Sequence, residues 1–451
     1  MTHPVFPHAD RLLADELERF AREHPRSREL SQRARRSLLA GVPMHWMVRW
    51  AGGFPVYATD AEGARFRDVD GHEYVDLCLG DTGAMTGHSP EPTVRAVRER
   101  VARGITLMLP SEDALWVGEE LTRRFGLARW QFALTATDAN RFAIRLARAI
   151  TGRPRILVYN WCYHGTVDET VATLGDRGEV VEREGSLGPP VPPSETTRVV
   201  EWNDVDALES ALAHGDVACV LAEPALTNIG IVPPEPGYHE ALRAATRRHG
   251  TLLIIDETHT LCAGPGGYTR AHGLEPDLLT VGKAIAGGIP AAAYGFSEEV
   301  AARIEAAIPD EQSDVGGVGG TLAGNVLSLA ATRATLDEVL TDEAFARMIE
   351  LGERFETGVQ DVIDRHGLPW HVTRIGCRAE YLFRPERPRT GSEAAAGADP
   401  LLDRLAHLWA LNRGILLTPF HNMALMCPAT SEEDVDLHTR SFDELASALT
   451  A

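Results

Sequence analysis

Thr251-Leu-Leu-Ile-Ile-Asp256-Glu257 runs through five apolar or β-branched residues and closes on two carboxylates. A short apolar run of this kind predicts a buried strand. Asp256 then stands where the strand opens, and a carboxylate there needs a positive partner or strong donors. Taken alone, it serves equally well as a helix cap or half of an ion pair. A second run, Leu278-Leu-Thr-Val281-Gly282-Lys283, has the same form, ends on a lysine and continues into Ala284, Ala286, Gly287 and Gly288. Lys283 lies 27 positions after Asp256, room for one loop-helix-strand return. Such a return sets the two strands in one sheet with both groups at the same edge.

Working outward, helical stretches alternate with β-rich runs at Gln131–Thr135, Arg155–Tyr159 and Ala218–Ala222. This alternation predicts an α/β fold with a mostly parallel sheet, whose ligands bind beyond the carboxyl ends of the strands. Before it, apolar residues at helical spacing from Ala9 to about Leu39, interrupted by Pro25, predict an arm of two amphipathic helices. Pro55 to Leu79 reads as a small antiparallel meander. After Ala330 a long helix and the runs Ala379–Phe383 and Gly414–Thr418 predict a smaller α+β domain. The expected divisions are residues 1–80, 81–330 and 331–451. Gly175 to Pro193 and Arg384 to Pro400 read as surface loops.

The chain has 451 residues, and its formal charge of −21 disfavours nucleic acid or an anionic membrane as a partner. Its six cysteines, at 78, 162, 219, 262, 377 and 427, form no CxxC pair and have no histidine at ligand spacing. Reduced thiols in a cytoplasmic protein are expected, and no metal site. Met1 to Asp10 has no signal-peptide pattern, and no apolar run approaches the ~20 residues of a membrane span.

Trp130 to Asp138 predicts a strand running into a helix from Asp138 to about Ile150, with Thr137 as N-cap. Free amides and the dipole at such a start suit an anion, although plain capping explains the threonine as well. Tyr163 can stack on a planar ligand or simply fill core. A lysine packed among small apolar residues favours the neutral amine that Schiff-base chemistry requires.

In order along the chain stand Asp70-Gly71 with Tyr74 and Asp76, Gly87-His88, TATDAN at 135–140 and Tyr163-His164-Gly165. EPALTNIG at 223–230, Asp256-Glu257, TVGK at 280–283, Gly319-Gly320-Thr321 and Gly324-Asn325 follow. This ordered set resembles the class III aminotransferases among the fold type I pyridoxal 5'-phosphate (PLP) enzymes, particularly the branch of glutamate-1-semialdehyde aminomutase and the β-amino-acid transaminases. The resemblance implies a large PLP-binding domain, a smaller domain built from both chain ends, and a homodimer with active sites at the subunit interface. It implies that Lys283 carries the cofactor as a Schiff base and moves protons, and that Asp256 keeps the pyridine nitrogen protonated. By the same resemblance Thr135, Ala136 and Thr137 cradle the phosphate, and Tyr163 and Thr258 cover the two ring faces. Glu223 and Asn228 lie near the ring, and Thr321 reaches the phosphate in the neighbouring subunit.

The departures concern substrate. Ala136 and Asp138 replace the Gly and Glu of the family's SGTEAN, a change that contacts made by backbone amides tolerate. The family's DEVMTGFR is here DETHTLCA (256–263), which lacks the arginine and adds His259 as a core residue or a substrate contact. Where the branch carries an arginine for the substrate carboxylate, this chain has His45, followed by Trp46 and Arg49. With Met85 these suggest a bulky apolar pocket wall or ordinary core. The implied activity is transfer of an amino group from an amine or amino acid to an oxo acceptor; β-amino acids and bulky apolar amines suit the altered segments. An intramolecular aminomutase or a PLP racemase is the alternative, and a PLP-binding protein without turnover is the third.

Overall fold

The computed structural model describes residues 3–308 and 316–451. The chain divides into two compact units, one of Glu91–Asp342 with Pro388–Ala396, the other of the residues through Pro90, Glu343–Arg387 and Gly397–Ala451. The expected divisions are residues 1–80, 81–330 and 331–451, whereas these units divide after Pro90 and after Asp342, with Pro388–Ala396 assigned to the larger one. The larger unit keeps the helix Glu91–Val101, which packs on Val326–Ala334 within it.

The sheet of the larger unit runs Arg129–Ala133, Ala292–Phe296, Leu278–Val281, Leu252–Asp256, Val217–Ala222, Arg155–Tyr159 and Thr197–Val200. Ala292–Phe296 is antiparallel to both its neighbours, and the other pairings are parallel. The α/β expectation therefore holds. The central strands Val217–Ala222, Leu252–Asp256 and Leu278–Val281 are buried throughout, which is why they read as continuous apolar runs. Two strands escape the sequence reading, Thr197–Val200 and Ala292–Phe296. The latter is rich in alanine and contains Gly295, whose hydrogen is needed because a Cβ there would stand 2.8 Å from the Trp130 ring.

Two expected loops contain structure. Gly175 to Pro193 includes the strand Val180–Glu182, paired with Ala172–Leu174. Arg384 to Pro400 includes the helix Gly391–Ala396, and its Ala394 joins the core of the larger unit. Glycine is required at 391, where a Cβ would approach Asn160 O to 2.3 Å.

In the smaller unit, helices Ala9–Glu23 and Pro25–Ala34 form the arm, and Pro25 sits in a first turn, where its missing N–H costs nothing. Ala58–Glu62, Arg65–Asp68 and Glu73–Asp76 make the meander, extended by Ile415–Leu416. A second antiparallel sheet joins His371–Ile375, Arg378–Leu382 and Met423–Leu425. Among the described residues no helix is long and apolar enough to cross a membrane.

Candidate active site

Asp256 ends its strand in register with Thr280 on the parallel neighbour, and Lys283 follows three residues later. The two groups thus leave the same edge of the sheet. Asp256 Oδ2 accepts from Asn140 Nδ2 at 2.8 Å and lies 2.9 Å from His164 Nδ1, while Oδ1 accepts from Thr258 N at 3.0 Å. Asn140 is itself fixed, for Thr280 Oγ1 donates to its Oδ1 at 2.7 Å. Burial alone would raise the Asp256 carboxyl, but the His164 hydrogen bond and charge, with Thr258 and Asn140, hold it well below the usual carboxylate range. Burial opposes charge on His164 as well, yet Cys162 and Asp256 drive its pKa well above the ordinary histidine value. The result is an ionised carboxylate, only 4 % exposed, at a strand end.

Lys283 is half-buried and adopts φ +51°, a left-handed conformation that costs a non-glycine residue energy. Its Nζ lies 2.7 Å from His259 Nε2. His259 therefore sits beside the lysine amine. Glu257, next to Asp256, serves the fold instead. It is fully buried and accepts from Tyr268 N at 3.1 Å, Thr269 N at 2.5 Å and Thr260 Oγ1 at 2.6 Å. These bonds tie down the loop after the strand.

The helix Ala136–Thr151 opens beside this pair. Its N-cap is Thr135, not Thr137, since Thr135 is extended (φ −137°) and accepts from Asp138 N. Thr137 lies inside the helix, and its hydroxyl accepts from Thr166 N at 3.1 Å. Two glycines let the surrounding chain close on this helix start. A Cβ on Gly165 would meet Thr137 Oγ1 at 2.1 Å, and one on Gly282 would stand 3.3 Å from Ala136 N. The helix start thus offers backbone amides beside a lysine and a buried carboxylate, a donor set that fits a phosphorylated pyridine aldehyde.

Tyr163 is half-buried in the same loop as His164, and Thr258 is buried directly after Asp256. Glu223 is buried and accepts from Thr227 Oγ1, while Asn228 Nδ2 donates to Trp161 O at 3.1 Å. Thr321 is exposed. The remaining candidates belong to the smaller unit. There His45 is exposed in a short 3-10 turn, and Trp46 and Arg49 both meet Phe420, Trp46 edge-on at 4.9 Å and Arg49 at 5.4 Å from the ring centre. Met85 is completely buried.

Sequence reading passes over Asn140, His164 and Thr280 as holders of Asp256. A signal was present for two of them: Asn140 and Thr280 are polar residues where their helix face and strand are otherwise apolar, and such a group needs a partner, whereas His164 lies in a loop with no such pattern.

Residues 47–444 match the family model described as Aminotransferase class-III. The glutamate-1-semialdehyde 2,1-aminomutase of Sorangium cellulosum is 35% identical over 420 residues, covering 91% of this chain and 94% of that one. A solved structure of a glutamate-1-semialdehyde-aminomutase from Pseudomonas aeruginosa is 52% identical, with TM-score 0.96 and 98% of both chains covered. A β-phenylalanine aminotransferase from Variovorax paradoxus is 27% identical, with TM-score 0.87 and 97% of both chains covered. The chain belongs to the class III aminotransferase family of PLP-dependent, fold type I enzymes.

Proposed function

We propose that this enzyme is an aminomutase, relocating an amino group between neighbouring carbons of a small amino aldehyde of the glutamate-1-semialdehyde kind. The observation that carries the reading is the likeness to the Pseudomonas aminomutase over 98% of both chains. It favours the intramolecular alternative over transfer between separate molecules. When bound, PLP supplies an aldehyde that captures amines and a ring that draws electrons from the adjacent carbon. Lys283 Nζ is the amine that would hold the cofactor and would serve as the proton carrier at the substrate carbon beside it. His259 Nε2, 2.7 Å from that Nζ, is placed to exchange a proton with it. Asp256, kept ionised, holds a proton on the pyridine nitrogen. The amides of Thr135, Ala136 and Thr137 bind the phosphate, Tyr163 and Thr258 confine the ring, and Glu223 and Asn228 orient its edge.

A homodimer completes this reading. Val101, Ile105, Leu107, Met108, Leu109 and Leu115 are all exposed on the single chain, an apolar stretch that a second copy would cover. Thr321 would then reach the neighbouring copy's phosphate site. Transamination between separate molecules is the second reading, favoured by His259 in place of the family's methionine and by the exposed His45 turn.

Glutamate-1-semialdehyde, supplied alone to the PLP- and pyridoxamine-phosphate-loaded protein, separates the two. The aminomutase converts it to the isomer 5-amino-4-oxopentanoate without any second oxo compound. A strict requirement for a separate acceptor, with deaminated donor released, rejects that reading in favour of transamination. Lys283→Ala is expected to lose turnover by roughly 10³-fold or more together with the absorbance near ~400 nm. Full turnover in that variant would remove Lys283 from the chemistry.

A further inference from the structure

His24 links the two arm helices and is 2 % exposed, facing the meander within the smaller unit. Its Nδ1 lies 2.8 Å from Phe20 O, and a carbonyl cannot donate, so Nδ1 carries the hydrogen. Its Nε2 meets Tyr74 Oη at 2.7 Å and Asp68 Oδ2 at 3.6 Å. The Tyr74 hydroxyl also donates to Asp68 Oδ2, at 2.8 Å, and His72 Nδ1 lies 3.2 Å from the same oxygen. Tyr74 has one proton and two acceptors. Either His24 carries a second proton or one of these contacts sets acceptor against acceptor. Asp68 has a fully buried side chain whose Oδ1 accepts from Asp70 N and His72 N, both at 2.9 Å, and among the described residues no lysine or arginine balances its charge.

A cation bound by the two imidazoles and the carboxylate resolves both deficits. It takes the His24 Nε2 lone pair, balances Asp68, and leaves the Tyr74 proton to Asp68 alone. We propose that His24, Asp68 and His72 bind one divalent transition ion of the zinc class, pinning the arm to the meander. Nitrogen and oxygen ligands on a tetrahedral zinc, at about 2.0–2.2 Å from the ion, stand about 3.3–3.6 Å from each other. Here His72 and His24 stand 3.2 and 3.6 Å from Asp68 Oδ2, and all three ligand atoms lie within 4.8 Å of one another. Two imidazoles select zinc over magnesium or calcium. The His72 side chain is 38 % exposed, giving the ion a path and a water as fourth ligand. Cysteine spacing gives no hint of this site, because its donors are histidines and an aspartate from separate elements.

The test uses full-length, PLP-loaded protein, freed of metal by a chelator and titrated with ZnCl₂ and CoCl₂. One equivalent should bind, Tm should rise, and Co²⁺ should show the visible absorption of a four-coordinate site. His72→Ala, at a half-exposed position, should weaken zinc binding by at least about 10-fold and remove the Tm rise without changing the PLP absorbance. Asp68→Asn should do the same, and Tyr74→Phe should still bind. All six cysteines are buried, so surface thiols do not compete. Absence of saturable binding overturns the proposal, as does undiminished binding in His72→Ala. So does a Tm that ignores zinc.

Discussion

Asp256 is held by donors from a helix, a loop and its own backbone, and one of them, Asn140, is locked by a strand threonine. His45 rests in a single 3-10 turn at the surface of the smaller unit, where the neighbouring Trp46 and Arg49 share one aromatic partner, Phe420. The first arrangement is over-determined, so a change in one member disturbs several. The second carries little of the fold and can vary with substrate. The proposed roles follow the same division, with cofactor chemistry assigned to the buried network and substrate selectivity to the exposed turn.

Asp256→Asn should have the largest effect. It strips the counter-charge from His164, which breaks a buried pair at a cost of about 3–5 kcal/mol, and it should lower kcat by roughly 10²-fold or more. Chemical denaturation and steady-state rates check both. A variant as stable and fast as the wild type would show that the buried network does not govern either property.

Asn140→Leu follows, with a loss of about 1–3 kcal/mol as Thr280 and Asp256 lose a partner. The pH dependence sharpens the same point. His164 has a raised pKa, so its contribution is complete below its ordinary value near about pH 6.5 and is lost as pH rises through the raised value. The lowered Asp256 pKa works at the other end, contributing above about pH 3.9 and failing only as pH falls through the lowered value. Tm should therefore decline on the alkaline side, and His164→Gln should flatten that decline. An unchanged profile in His164→Gln would assign the decline to other groups.

The smallest effect is expected at Arg49→Ala, within about 1 kcal/mol in stability. Its kcat should stay within a few fold while KM for the preferred substrate moves. A fall in kcat as deep as that of Asp256→Asn would erase the contrast between the two regions.

Much of the fold and half of the site can be read from the order of residues alone. The strands ending at Asp256 and Val281 declare themselves because a strand buried on both faces must be apolar throughout. Ala292–Phe296 does not, since its small residues are chosen by what presses on them, as Trp130 does at Gly295. The N-cap is misplaced by two residues because Thr135 and Thr137 are chemically equivalent in the sequence, and only backbone conformation separates them. The partners of Asp256 come from positions 140, 164 and 258, and no local pattern states that the first two converge on one oxygen.

The helix Gly391–Ala396 bears on how the chain is made. Ser392 Oγ lies 3.0 Å from Asn160 Nδ2 and donates to Glu201 Oε1 at 2.5 Å, and Asn203 Nδ2 donates to Arg389 O at 2.8 Å. During synthesis, the sheet and the Lys283 edge emerge from the ribosome long before these partners. Until residue 396 has followed, Asn160, Glu201 and Asn203 lack them and Ala394 is missing from the core. The larger unit is therefore a late finisher in vectorial folding, and a fragment cut at residue 342 would carry the whole reactive edge on a scaffold still missing its last piece.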